Sequence, residues 1–145
     1  MKKINPRSTR LFCKLLDKIK DDHQHIKLER ESFMPLSFER IQDDVTTPYG
    51  MGHVYSLMHT YVQNGDLMRD PEVCFIVVDN RTEPKQYDLI DIYPLLYRQD
   101  NLGLYEESIR IEGSAVTSFI KTWQDSHVAF ANQWLVNISQ QGFLQ

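Results

Sequence analysis

The dipeptide Asn64-Gly65 lies between two long β-prone runs, His53 to Gln63 and Asp66 to Val78. Asn-Gly supplies the positive φ angles of a tight two-residue turn, so it makes the runs a hairpin and sets which residues face each other. Gln63 then pairs with Asp66, and counting outward places Val62 opposite Leu67, Met58 opposite Pro71 and Val54 opposite Phe75. That collects an almost wholly apolar set on one face, an agreement that supports the register. On the other face His59 falls opposite Asp70, Leu57 opposite Glu72, Tyr55 opposite Cys74 and His53 opposite Ile76. Pro71 cannot donate to a ladder, which exposes the pairing between Asp66 and Glu72 to failure. A one-residue slip would send His59 to the opposite face.

The run Val73-Cys74-Phe75-Ile76-Val77-Val78 has no alternation and reads as a strand covered on both faces. Upstream, Ser8 is placed to cap a helix whose Leu11, Phe12, Leu15, Leu16 and Ile19 share one face, with Asp21-Asp22 ending it. From His25 to Ile41 the period changes to two, in an edge strand or two short strands broken near Met34-Pro35. Asp43 to Gly52 reads as the longest loop, and Asp79 to Pro84 as another. Tyr87 to Tyr97 and Leu104 to Glu112 read as partner strands joined by a turn at Asp100 to Gly103. Asp125 or Ser126 can cap a helix through Ser139 that buries Phe130, Ala131, Trp134 and Ile138. Residues 115–123 fit either a further strand or an extension of that helix, and strand is the reading adopted. The expected fold is a single α+β domain over residues 1–145. It has an antiparallel sheet of about five strands, with an N-terminal and a C-terminal helix packed on it.

Length and charge narrow the function. The chain has 145 residues, 41% hydrophobic and 25% charged, enough to bury a core. A net charge of −4 argues against a dominant phosphate-binding surface, though a local basic patch stays open. No stretch approaches transmembrane length, and Pro6, Ser8 and Arg10 stand where a secretory leader would be apolar. Cytoplasmic localisation is the expectation. Cys13 and Cys74 lack metal-type spacing; Cys74 reads as a buried thiol, and pairing between them stays open.

The candidate chemistry is sparse. His59 with Asp70 has the makings of an oriented general base, but no nucleophile stands beside it. Asp66, Asp70 and Glu72 with His59 form the candidate set for a metal-dependent hydrolase or nuclease. Neither His23/His25 nor His53/His59 has zinc-motif spacing, and no cofactor is expected. Asp70 with Glu83-Pro84-Lys85 resembles the acidic-x-lysine arrangement of restriction-type nucleases. That element belongs on an apolar strand, and Pro84 after a turn makes the match poor. Tyr97, Arg98, Tyr105 and Arg110 are the candidates for stacking and binding nucleic acid. The residues Tyr87, Leu89, Asp91, Tyr93, Leu95 and Tyr97 share one strand face, which favours core packing.

Three blocks carry a resemblance: Gln63 to Glu72, Tyr97 to Tyr105 and Phe130 to Ile138. They resemble a bacterial domain family of unknown function met on conjugative elements, phages and other mobile DNA. The resemblance covers Gly52 to Phe143 and brings no established activity, cofactor or catalytic residue. It implies a mobile-element setting, in which host-defence interference, DNA processing and plasmid maintenance all fit. The expectation is therefore a non-enzymatic accessory domain that binds another macromolecule, a protein before a nucleic acid, and no membrane. Tyr61, Arg98, Tyr105 and Phe143 are the interaction candidates.

Overall fold

The apolar run becomes an interior strand of a curled sheet. In a computed structural model, which describes residues 1–19 and 24–145, the element order is α1 (Pro6–Lys18), β1 (His25–Leu28), β2 (Leu36–Thr47), β3 (Gly50–Gln63), β4 (Asp66–Asp79), β5 (Ile90–Gln99), β6 (Leu104–Glu107), β7 (Ile109–Glu112), β8 (Ala115–Phe119) and α2 (Lys121–Gln140). The path across the sheet is β6-β5-β4-β3-β2-β8-β7, with β1 paired to β2 off this path. On β4, Val73, Phe75 and Val77 enter one core, while Cys74, Ile76 and Val78 enter another. Two-faced burial is the reason this strand lacks alternation.

The first core lies beneath both helices, where Phe12 and Leu15 of α1 meet Ala131, Trp134, Leu135 and Ile138 of α2. The second lies inside the curl. Strands β6 and β7 sit at opposite ends of the path yet are separated in sequence by Ser108 alone, so the sheet must bend back on itself. Ile109, Ile111 and Val116 thereby reach Val54, Ile76 and Tyr93. The Ser108 N–H donates to the Leu95 carbonyl at 2.8 Å, and the Ser108 carbonyl accepts from the Ile120 N–H at 2.8 Å.

Several expectations are corrected. Among the described residues the sheet has eight strands rather than about five and is mixed, because β2 and β8 run parallel through the pair Thr46–Ala115. Strands of four or five residues such as β1, β6, β7 and β8 are too short for periodicity to separate. Asn5, not Ser8, caps α1: its side chain accepts from the Ser8 N–H, and Pro6 takes the first helical position. Asp21-Asp22 lies outside the described residues, as does His23. The expected loop Asp43 to Gly52 is mostly strand, with only Pro48-Tyr49 between β2 and β3. Its Asp and Thr residues belong to a twice-bulged end of β2, where Asp44 has φ 54°. Residues 115–119 are strand as adopted, but α2 begins at Lys121, upstream of Asp125. Tyr87–Leu89 is a 3-10 turn. Both thiols are free and buried.

The hairpin register holds at the tip and slips once. Gln63–Asp66 and Val62–Leu67 pair as counted, but past Thr60–Arg69 the next pair is Met58–Glu72. His59 thus opposes both Asp70 and Pro71, which are joined by a cis peptide bond. The ladder absorbs a proline without an N–H by bulging instead of failing. Every later pair is displaced by one: Leu57–Val73, Tyr55–Phe75, Val54–Ile76 and His53–Val77. A similar shift beside Leu95 on β5 sends Tyr93 into the curl and leaves Tyr97 against the helices, so the two do not share a face.

Candidate functional site

The slip takes Glu72 away from His59 and leaves Asp70 beside it. His59 stays on the helix-covered face, buried against Trp134 and Phe143 with ring centroids 5.8 and 5.5 Å away. Its Nδ1 lies 3.1 and 3.2 Å from the carbonyl oxygens of Met34 and Pro35. Burial pushes its pKa down, and those carbonyls together with Asp70 oppose the shift. Glu72 has moved to the other face. There it accepts from Ser56 Oγ at 2.5 Å and lies 3.5 Å from Arg98 Nε. Asp66 is exposed at the turn.

Asp66 and Glu72 therefore do not join His59 and Asp70, and among the described residues no group of three or more His, Cys, Asp and Glu could hold a metal ion. His25 is exposed on β1, and His53 is held by Arg40 and the Asp44 N–H. Glu83 and Lys85 are exposed in the loop after β4, at the end of that strand away from Asp70.

Among the interaction candidates, Phe143 is a core residue rather than a presented one. Gly142 adopts φ 88° after α2, which a glycine tolerates, and its carbonyl accepts from Arg30 Nε at 2.9 Å. The tail is turned back onto the body. Arg98 lies beneath the half-exposed Tyr105 ring, 4.9 Å from its centroid, and its buried Nε faces the Glu72 carboxylate at 3.5 Å without a hydrogen bond among the described residues. Arg110 is exposed beside Glu107 at 4.0 Å. Tyr61 is half-buried and lines a groove of about 450 Å³ with Phe33, Met34, Val62 and Leu67.

Two polar constellations escaped the sequence reading. His127 Nδ1 lies 2.8 Å from Ser108 Oγ, and its Nε2 lies 2.9 Å from Glu106 Oε1. Serine, imidazole and carboxylate in this order would suit nucleophile activation, but Ser108 and His127 are only 1% and 2% exposed. Without access for a substrate, the set fastens α2 to the β6–β7 junction. Its signal is the helical spacing of Gln124, His127, Val128, Ala131, Trp134, Leu135 and Ile138, which starting the helix at Asp125 truncates. The second constellation is a polar cleft of about 390 Å³ lined by Asp17, Arg40, His53, Tyr55, Asp79 and Arg81. Arg81 holds Asp79 with two bonds of 2.9 Å and the Pro84 carbonyl at 3.0 Å, while Arg40 holds Asp43. Each guanidinium has its carboxylate, and Arg81 Nη1 also reaches Cys13 Sγ at 3.4 Å, which ties the 79–84 loop to α1.

The hairpin tip exposes apolar side chains. Val62 and Leu67, paired across the hairpin beyond the body, are 70% and 61% exposed, with Phe33 beside the same groove. No helix among the described residues is long and apolar enough to cross a membrane. Neither the curated proteins nor the solved structures offer a match to the chain. A family model matches residues 10–144, and the chain belongs to the family described as Domain of unknown function (DUF6908).

Proposed function

We propose that this chain is a non-enzymatic binding module that docks a protein partner on the free end of the β3–β4 hairpin. The carrying observation is the exposed Val62–Leu67 pair at the lip of the Phe33–Tyr61 groove. Burying such aliphatic surface contributes about 25 cal/mol per Å², and an edge-to-groove arrangement lets a partner side chain fill a concave site. The net charge of −4 works against a nucleic acid in that place. The resemblance noted above supports an accessory role on a mobile genetic element, acting in the cytoplasm.

A photo-activated benzophenone residue at position 62 tests this reading in cells, with position 101 as the control. A discrete adduct is expected from position 62 and not from 101, and Leu67→Lys should remove it without changing the urea midpoint. Adducts of equal yield from both positions, or an adduct indifferent to Leu67→Lys, would refute the docking site.

A further inference from the structure

Charge is unevenly placed along this chain. Residues 1–19 carry six Lys and Arg against Asp17 alone, whereas the rest of the chain carries ten against nineteen Asp and Glu. The net charge of −4 thus conceals a basic N-terminal segment on an acidic body. In α1 the basic residues stand at 7, 10, 14 and 18, steps of three and four that line them along one side of the helix. Arg7, Arg10 and Lys14 are exposed there, while Phe12, Cys13 and Leu15 on the opposite side are buried in the first core. At about 1.5 Å per residue the stripe from Arg7 to Lys14 is roughly 10 Å long, on a helix held fast by its packing.

These cations lack the carboxylates that basic residues have elsewhere. From β1 onward, Lys27, Arg40, Arg69, Arg81, Arg110 and Lys121 each stand within 4.0 Å of a carboxylate. Among the described residues Arg7, Arg10 and Lys14 have no such partner, and Lys18 donates to the Gln145 carbonyl at 3.0 Å. The nearby acids are turned elsewhere. Asp17 lines the polar cleft with Arg40 and Arg81, and Asp91 is taken by Lys3 at 2.8 Å. Asp88 shares a pocket with Arg10 without reaching ion-pair distance, and Arg10 lies over the Tyr87 ring, 5.7 Å from its centroid. Arg7 also stands in the first turn, where positive charge opposes the macrodipole and no acidic residue offsets it. Like charges three and four positions apart repel along a helix. The stripe therefore costs α1 stability, and packing within the chain does not call for it.

We propose that α1 lays this stripe along the sugar–phosphate backbone of double-stranded nucleic acid, binding it without reading sequence. A duplex carries one negative charge about every 1.7 Å of its axis, a density that gives each of the three cations a phosphate within reach. Two of the three are arginines, whose planar guanidinium matches two phosphate oxygens at once. A lipid surface is the weaker fit, because a peripheral helix needs its apolar side for the bilayer and that side of α1 is spent on the core. An acidic protein is also weaker, because a protein interface is built around an apolar centre. Beyond Pro6, the exposed residues of α1 are Arg7, Arg10, Lys14 and Asp17. The acidic body is repelled by the same polyanion, which turns α1 toward the duplex. None of the three cations lines the Phe33–Tyr61 groove, so this surface is separate from the hairpin docking site.

The anisotropy of a fluorescein-labelled DNA duplex, titrated with the full chain, tests the proposal. With three cations engaged, affinity should fall about fortyfold between roughly 50 and 200 mM salt, a log–log slope of about −2.7. The R7Q/R10Q/K14Q variant should bind at least tenfold more weakly at the lower salt and lose most of that slope. Its thermal midpoint should stay level or rise, because like charges have been removed. Lys27→Gln combined with Arg110→Gln and Lys121→Gln removes as much charge elsewhere and should change binding by less than about threefold. Leu67→Ser should leave it unchanged, which separates this surface from the hairpin. No binding at the lower salt, binding indifferent to salt, or an equal loss in the Lys27, Arg110 and Lys121 variant would overturn the proposal. Stripe-dependent binding to polyglutamate or to phosphatidylglycerol vesicles that is tighter than binding to the duplex would also overturn it, in favour of an acidic protein or a lipid surface respectively.

Discussion

The imidazole of His127 sits between Ser108 and Glu106, with Nδ1 2.8 Å from Ser108 Oγ and Nε2 2.9 Å from Glu106 Oε1. Because Ser108 is also the single residue between β6 and β7, this contact ties the closure of the curled sheet to α2. Ser108→Ala would leave a buried ring nitrogen without its partner, at a cost of about 1–3 kcal/mol. Urea unfolding should show that loss with an unchanged slope. An unaltered midpoint would mean the bond contributes nothing in solution.

His59 makes stability depend on pH. Its folded pKa is lowered, first by burial, from an ordinary value near 6.5. The unfolded chain therefore binds the proton more readily, and stability rises with pH between the folded and unfolded values. The contribution is complete above the unfolded pKa and is lost as pH falls toward the folded one. Urea midpoints measured from pH 7.5 down to 5 should decline, and His59→Phe should flatten that decline. An NMR titration of the His59 ring with a midpoint above 6.5 would contradict the sign.

Both thiols should be inert while the protein is folded. Burial pushes the Cys13 pKa up to about 11, and burial with the neighbouring Glu72 carboxylate pushes Cys74 up as well. Thiolate is the reactive form, so labelling by a disulfide reagent at pH 8 should be slow and should accelerate with urea along the unfolding curve. Rapid stoichiometric labelling of native protein would show that one site opens locally.

Two glycines should respond to alanine for different reasons. Gly65 has φ 84° in the hairpin turn and open space where a Cβ would go, so Gly65→Ala meets only backbone cost, about 1–2 kcal/mol. At Gly52 a Cβ would stand 3.0 Å from both Ile76 Cγ2 and the Val77 carbonyl oxygen, so Gly52→Ala overpacks the inside of the curl and costs about 1–3 kcal/mol. A crystal structure or amide-exchange map should show the Gly52 variant disturbing β3 and β4 at Ile76, and the Gly65 variant disturbing the turn alone.

The tip of the hairpin was legible because its information is local: Asn64 at φ 53° and Gly65 at φ 84° make the turn that their residue types prescribe. The α1 face was legible for the same reason, since a helical stripe needs no knowledge of what it packs against. The candidate site was not. Its residues depended on a count carried along β3 and β4, and one bulge at Asp70-Pro71 put Glu72 on the face away from His59. Phe143 illustrates a second limit, because an apolar residue after a helix carries no mark of whether it docks or is displayed. The His59 and Phe33 rings against which it packs lie far from it in sequence.

By itself, then, the sequence determined the elements whose hydrogen bonds and periodicities close over a few residues: the Asn64-Gly65 turn, the two-faced strand through Val73–Val78, and the helices at either end. Tertiary structure alone decided the parallel contact of β2 with β8, the curl closed at Ser108 and the exposure of Val62, Leu67, Phe119 and Trp123. Each of these depends on which distant backbone or side-chain groups remain to be satisfied once the local elements exist. That remainder is a property of the assembled sheet, and a residue-by-residue pattern does not contain it.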